Sequence, residues 1–508
     1  MISSYKFYIL FLIILLTTNV LAQEVKKIEL LNADVIDYDE KLLGKEIKRL
    51  TGNVSFKHDS AILNCDSAYF NSLRNNVVMY GHVHINMGDT IHLWGDSIRY
   101  FGNTKIAEVR NNVKLINKKA VLTTDSMNYD RNQNIGYYFN WGKIKDGENS
   151  LVSEWGYYFS LLKDFVAVKS VILTNPDYHM YSDSLRYNIE TEISSFYGPS
   201  KIVGDSNLIY CENGWYNTKT EISQFNKNAY LQSKAQTIKG DSLYYDRNKK
   251  FGKAYKNVEI IDTSANITLL GNYGYYFENP EQAMLTDSAV FINYGGADTL
   301  FLHADTLRSN VIKDSIGEYK FIKAYYKVKI YKSDIQGSCD SLTYSLRDSI
   351  IKFFKKPILW SDIHQLTAEQ IEIHTKNNEA DYVVLNNAAF VISQEDTVRF
   401  NQVKGKNMIG YIKNKELDHI EVDGNGESIY FPKDNNELIG ANKAESSKMT
   451  IYLDSSKVSK ILFLTKPTAV LHPIDELPAN DLLLSNFYWY INIRPMSKLD
   501  IFDKKTEE

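Results

Sequence analysis

The chain has 508 residues, 44% of them apolar and 13% aromatic, with a formal net charge of −4. That balance supplies a large core and speaks against nucleic acid as a partner, since no basic arm and no zinc-finger spacing appears. Tyrosine is abundant at 36 residues and proline scarce at 9, which favours strands over a disordered linker.

In chain order, the first element predicted is a secretory signal peptide over residues 1–22. Lys6 provides the positive start, Phe7 to Leu16 a short apolar stretch, and Val20-Leu21-Ala22 the cleavage positions. Cleavage after Ala22 leaves Gln23 first, with no cysteine there to carry a lipid anchor. No later run of about 18 apolar residues exists, so no membrane-spanning helix is expected. The mature chain is therefore expected to be exported, with an uncleaved N-terminal anchor as the alternative.

From residue 23 onward a cassette of about nine residues recurs roughly every 29 residues. It reads apolar, any, small, acidic, Ser, apolar, any, Tyr. The acidic slot holds Asp66, Asp96, Asp125, Glu154, Asp183, Glu212 and Asp241, then continues more loosely through Asn272, Asp305, Asp340 and Glu369. A residue repeated this often is a rung of a framework, because catalysis needs one site. Directly before the acid stands a small residue, for example Cys65, Gly95, Thr124, Ser153, Cys211 or Cys339. Four residues after it stands an aromatic, for example Tyr100, Tyr129, Tyr158, Tyr187 or Tyr245.

The period within the cassette is two, which predicts strands. Around Asp241, Ile238 and Gly240 share one parity while Leu243 and Tyr245 share the other. The inward face must switch at Asp241-Ser242, and a bulge or sharp corner there restores it. Asp66, Asp96, Asp125, Asp183, Asp241 and Asp340 are accordingly assigned to corner chemistry, with Asp-Ser bonding backbone N–H groups. A ladder of calcium carboxylates is the alternative, but the glycine-rich nonapeptide spacing of such ladders is missing. Between cassettes lies a second recurring strand, as in Tyr80–Ile85, Arg110–Leu115, Lys256–Ile260 and Lys356–Trp360. The best helical candidate is the weakly periodic stretch Asn435–Lys448.

Chemistry-bearing residues are sparse. His82 and His84 share a strand face with His92 nearby, but no acidic ligand accompanies them, so no metal site is assigned. Gly95-Asp-Ser97 and Gly240-Asp-Ser242 belong to the cassette and do not read as nucleophile motifs. Cys65, Cys211 and Cys339 all occupy the small slot and are expected to be free, buried and mutually distant. No catalytic residue and no cofactor is predicted, and the chain is not read as an enzyme.

The copies Ile238-Lys-Gly-Asp-Ser-Leu-Tyr-Tyr-Asp246 and Leu93-Trp-Gly-Asp-Ser-Ile-Arg-Tyr-Phe101, alternating with the second strand, resemble the OstA/LptA family of periplasmic lipopolysaccharide-transport proteins. The resemblance covers about residues 28–375 and fades by about 465, and this chain is longer than a typical bridge protein of the family. It implies an all-β, elongated open β-jellyroll or solenoid of stacked antiparallel strands, whose apolar interior carries lipid acyl chains towards the outer membrane. Candidate groove residues are then Leu93, Ile98, Leu122, Met127, Leu185, Ile238, Leu243 and Leu269. Lipopolysaccharide or a related glycolipid is the implied ligand. Other transport components, added by edge-strand β-augmentation, are the implied partners, and the same edges allow end-to-end self-association. The competing expectation is a structural or carbohydrate-binding solenoid with a filled core. Residues 23–375 form the repeat array and 376–465 weaker repeats continuing it. Residues 466–508, with Leu471-His-Pro473 and Phe487–Ile493, read as a C-terminal cap or docking segment.

Overall fold

A computed structural model of the chain describes residues 26–503, apart from 89–90, 234, 297, 377–378, 436 and 475–477. Residues 1–22, expected to be a signal peptide, lie outside the described residues. Among the described residues regular structure is almost entirely strand, with one helical turn at Glu40–Leu43 and short 3₁₀ turns near the C-terminus. The chain divides into two compact units, residues 1–200 and 201–508.

In the first unit, strands of 11 or 12 residues follow one another from Ile47–His58 to Tyr178–Asn188. Each pairs antiparallel with its neighbours in sequence. Tight turns join them, several closed by an Asn or Asp side chain that accepts backbone N–H bonds, as Asp130 does from Asn132 and Gln133. Every strand bends at its middle. In Ala61–Asn71 the buried residues are Ala61, Leu63 and Cys65, then Ala68 and Phe70, so the inward parity changes at Asp66-Ser67. The flanking strands place two consecutive left-handed residues opposite that point. These are Gly52 and Asn53 (φ 78° and 43°) on one side and Gly81 and His82 (φ 72° and 43°) on the other. The additional residue of the bulge therefore sits on the facing strand and not on the Asp-Ser strand.

The bend divides each strand into two arms, and the arms assemble into two sheets. Sheet A holds the arms after the acid, such as Ser97–Phe101, with their partners Ile106–Arg110. Sheet B holds the arms before it, such as Ile91–Trp94, paired with Lys114–Asn117. Inward side chains of the two sheets face each other. The small slot lies where the sheets are closest: a Cβ on Gly95 would stand 2.4 Å from Val109 Cγ1.

The second unit repeats the corner, with left-handed pairs at Lys256-Asn257, Asp287-Ser288, Tyr326-Lys327, Lys355-Lys356, Asn387-Ala388 and Gly424-Asn425. At Gln336–Ser345 the partner is broken into Ile350–Phe354 and Ile358–Ser361. Pro357 lies between them, where its missing N–H interrupts the ladder. The strands lengthen, to 14 residues in Leu300–Lys313 and Glu318–Tyr331 and 16 in Glu379–Gln394. In Leu300–Lys313 the extension falls on the sheet A arm, which runs from Thr306 to Lys313. These longer arms are why the repeat spacing loosens after Asn272. Asn435–Lys448 is not helical: it contains Glu437–Leu438 and most of the strand Ala441–Asp454. Its apparent helical period came from residues straddling a corner, where strand parity changes.

The last segment is not part of the ladder. After the strand Thr468–His472, residues 479–503 run back across the outer face of sheet B within the second unit. Leu482 and Leu484 pack on Ile429, Phe431 and Ala441; Tyr490 and Ile493 pack on Ile358 and Trp360; Ile501 packs on Val290 and Ile292.

Candidate functional site

The corner carboxylates stand at the solvent-facing bend, one per repeat. Several are engaged by the left-handed pair opposite them rather than by backbone N–H groups of their own strand. Asn112 Nδ2 donates to Asp96 at 2.7 Å, Asn228 Nδ2 to Glu212 at 2.7 Å and Asn257 Nδ2 to Asp241 at 3.0 Å. His82 Nδ1 bonds Asp66 at 2.7 Å, which raises the imidazole's pKa. Lys355 pairs with Asp340 at 3.3 Å. Asp183 lies against Gly198, whose Cβ, if present, would be 2.5 Å from Asp183 Oδ2. Asp125 stands opposite the left-handed pair Asn140-Trp141. Among the described residues, no three or more His, Cys, Asp or Glu side chains gather as a metal group would require.

His84 and His92 leave the corner and stack with Trp94 on the outer face, their rings bonded Nε2 to Nδ1 at 3.1 Å. His82 does not join them. Cys65, Cys211 and Cys339 are free and buried in the small slot, and burial pushes each thiol up to about 12.

The interior of the first unit is filled. Leu93, Ile98, Leu122 and Met127 have no exposed surface, and Leu185 has 1%. Their own chain covers them completely. The open side, opposite the corner, is tied shut by aromatic hydroxyls that reach from sheet A to the ends of sheet B arms. Tyr100 bonds His58 at 2.6 Å, and Tyr187 donates to Asp146 at 3.0 Å. Asn117 bonds Tyr158 in the same way. These pairs are separated by 41 or 42 residues, so each rung is closed by a strand about one and a half repeats away. Tyr138 adds a bond from sheet A to Ser153 of sheet B at 2.5 Å, inside the wedge.

The interior of the second unit is open in part. Tyr245 and Tyr276, in the same column as Tyr100 and Tyr158, are 38% and 39% exposed. Leu243 is buried, while Ile238 and Leu269 are half-buried. Farther along, a cavity of about 460 Å³ lies between the sheets, walled by Leu302, Leu307, Ile322, Ile330, Leu342, Ile351, Phe353 and Ile373. Its rim is charged, with Lys332, Asp334, Lys376, Glu379, Lys413 and Lys415. Lys332 pairs with Asp334 at 2.8 Å, and the second oxygen of Asp334 is buried with no hydrogen-bond partner among the described residues. Apolar walls with a polar, charged rim suit a ligand with a hydrocarbon body and a polar head.

The outer face behind that cavity is held by two glutamines that sequence reasoning missed. Gln402 donates to Leu482 O at 2.9 Å and accepts from Leu484 N at 2.8 Å. Gln365 treats Tyr488 O and Tyr490 N alike, at 2.8 and 2.7 Å. Each side-chain amide thus meets the C-terminal strap as a neighbouring strand would. Gln336 accepts from Arg494 at 2.9 Å, and Lys329 donates to Asp503 O at 2.6 Å. Two further rungs also escaped notice. Asp34 accepts from Asn53 at 2.8 Å, with Leu31, Ala33 and Tyr38 in their cassette slots; Lys406 fills the acid's place opposite Asn387-Ala388.

A family model described as OstA-like protein matches residues 25–183 and 179–294, more than half of the chain. The chain belongs to the OstA-like family. OstA-like proteins form a non-enzymatic transport family associated with lipopolysaccharide and the periplasm. A comparison with curated proteins returned no match. The all-β architecture of stacked antiparallel strands agrees with that membership. In this OstA-like protein the matched residues comprise the first unit and the opening strands of the second. Most of the cavity wall, from Leu300 onward, and the C-terminal strap lie beyond them. No helix among the described residues is long and apolar enough to cross a membrane.

Proposed function

We propose that this protein is a periplasmic lipid conduit, exported by cleavage after Ala22, which binds lipopolysaccharide acyl chains between its sheets and helps carry them to the outer membrane. The observation that carries the reading is the apolar cavity of about 460 Å³ with a charged rim in the second unit. Each CH₂ buried there contributes about 0.8 kcal/mol, and the rim keeps a phosphorylated sugar head in water. Leu243, Ile238 and Leu269 extend the same apolar face towards the N-terminal side. In the first unit, Leu93, Ile98, Leu122, Met127 and Leu185 reach an acyl chain only when the tyrosine bridges part.

Partners join by β-augmentation. The segments Glu29–Asn32 and Val35–Asp37 pair with Ile47–His58, and Leu31, Val35, Ile36 and Tyr38 are left about half exposed there. That edge accepts a strand from another lipopolysaccharide-transport component or from a second copy. The sealed interior of the first unit favours a second reading for that unit alone, a filled-core scaffold that presents the edge strand.

Photo-crosslinking in cells tests the proposal. A crosslinker at Leu302 or Ile351 should capture lipopolysaccharide, and one at Leu93 should not. Absence of lipid adducts at all three positions, with none co-purifying, would sink the conduit and leave the scaffold.

A further inference from the structure

Five consecutive strands of the second unit carry their sheet A arms in register: residues 251–255, 273–277, 282–286, 306–310 and 321–325. Ala254, Leu285, Leu307 and Ala324 are buried between the sheets, so by alternation each arm turns three side chains to the outer face. Those fifteen residues include three cations, Lys253, Arg308 and Lys323, and no Asp or Glu. None of the three cations is ion-paired among the described residues. They rest over rings instead: Lys253 Nζ is 5.2 Å from the centre of Phe251, Arg308 5.8 Å from Tyr325 and Lys323 5.7 Å from Phe321. Elsewhere on sheet A cations meet carboxylates, as Arg99 does Glu108 at 3.9 Å and Lys352 does Glu372 at 3.0 Å.

Arg308 and Lys323 stand directly opposite each other on neighbouring strands. Like charges in that position destabilise a sheet. The pair costs the fold stability, and its use lies in what it can hold: two adjacent cations with no acid to neutralise them attract an anion. Lys253 lies on the same cross-strand row, three strands from Arg308, which is about 14 Å at the ordinary strand spacing. A partner that meets all three is therefore extended, with its charges spread along it. Beside the cations lie the partly exposed rings of Tyr255, Tyr273 and Tyr275 and the hydroxyls of Thr286 and Thr306, 2.8 Å apart. Flat aromatic faces take the C–H faces of sugar rings, while hydroxyls and a guanidinium take their oxygens.

Other occupants fit less well. A bilayer takes up apolar side chains that protrude, and of the rings on this face only Tyr255, at 38% exposed, stands clear of its neighbours. A peptide added as a strand needs a free edge, and these arms are paired on both sides, with residues 242–246 at one end and 341–345 at the other. We infer that this outer face binds an acidic polysaccharide laid across the strands, its acid groups on Lys253, Arg308 and Lys323 and its sugar rings on the neighbouring tyrosines. The face lies outside sheet A, so the assignment is independent of what lies between the sheets.

Titration calorimetry of the intact protein with polygalacturonate and with alginate tests this, with dextran as the neutral polymer and phosphatidylglycerol vesicles as an anionic membrane. At least one of the two acidic polymers should bind, more weakly as salt rises, and dextran should not. Arg308→Gln/Lys323→Gln should lower the affinity about tenfold or more. The melting transition of the second unit should stay or rise in that variant, because a repulsion has been removed. Tyr255→Thr keeps every charge and leaves a strand-forming residue; it should lower the affinity roughly threefold. Failure of both acidic polymers to bind overturns the inference. Binding that the double variant leaves unchanged overturns it too, since the polymer then sits elsewhere. Binding that falls with the cations, ignores Tyr255→Thr and is matched by the vesicles would make this face a general anion or membrane-surface patch, and the polysaccharide assignment would fail.

Discussion

The two units are built from one repeat and differ in what they enclose. Leu93 and Leu269 occupy the same cassette slot, yet the first is sealed and the second half-buried. Tyr158 and Tyr276 share a column, yet the first is 1% and the second 39% exposed. The cassette specifies the corner, with its small residue, its acid and the left-handed pair opposite. It does not specify the space between the sheets. That space depends on the length of the sheet A arms and on whether a tyrosine hydroxyl finds a polar end on the other sheet. It also depends on whether something outside the sheet replaces the packing an open interior lacks. In the second unit the strap spans Val290 to Ala441, a stretch that includes the rungs that wall the cavity.

Removing the strap is therefore the largest expected effect. Ending the chain after His472 exposes Val290, Ile292, Ile358, Trp360, Ile429 and Phe431 and leaves Gln365 and Gln402 without the backbone they bind. Full burial of such a side chain is worth about 1.5–3 kcal/mol, and a domain's whole stability is about 5–15 kcal/mol. Limited proteolysis should find the first unit intact and the second digested or aggregated. A truncated protein whose second unit stays resistant and still binds an apolar fluorophore would show that the open interior needs no outer support.

The strands, the corner and its parity change were legible because they repeat and because side-chain alternation has a period of two. The bulge was placed on the wrong strand, since the sequence marks the acid while the left-handed pairs vary: Gly-His, Asn-Asn, Lys-Ser, Lys-Asn. Asp34 was missed because its cassette stands alone at an edge, and Lys406 because its charge is reversed. The strap was invisible as an element, having no periodicity, but it left a trace. Three sheet B arms of the second unit that lie under the strap run continuously apolar: Ala289-Val-Phe-Ile292, Ile358-Leu-Trp360 and Ala389-Phe-Val-Ile392. Continuous runs mean burial on both faces. The tyrosine bridges join strands 41 or 42 residues apart, and no local pattern announces them.

Those bridges are the next point of attack. Tyr187→Phe removes the donor to Asp146, and Tyr158→Phe the partner of Asn117. Each should cost about 1–2 kcal/mol and speed amide exchange at the sheet ends of the first unit. Tyr245→Phe and Tyr276→Phe, with exposed rings, should cost less than about 0.5 kcal/mol. Replacing Tyr100, Tyr158 and Tyr187 together should turn Leu93 from a silent crosslinking position into a productive one. Continued silence, in a protein that stays folded, would mean the first unit is a filled core whether bridged or not.

The smallest effect belongs to what the units share. Asp96 and Asp241 are exposed, and each accepts one amide bond across the corner, at 2.7 and 3.0 Å. Asparagine keeps the acceptor and loses only a charge in water, so Asp96→Asn and Asp241→Asn should each cost a few tenths of a kcal/mol. Leucine removes the acceptor as well, and Asn112 and Asn257 then hold their left-handed conformations without a tie. About 1 kcal/mol is expected for Asp96→Leu and for Asp241→Leu. Denaturant unfolding of each unit's transition measures both pairs. The decisive quantity is the equality of the two units, because the corner geometry is common while the interiors differ. A cost at Asp241 several times that at Asp96 would mean that the open interior leans on its corner, and the separation of corner from interior would fail.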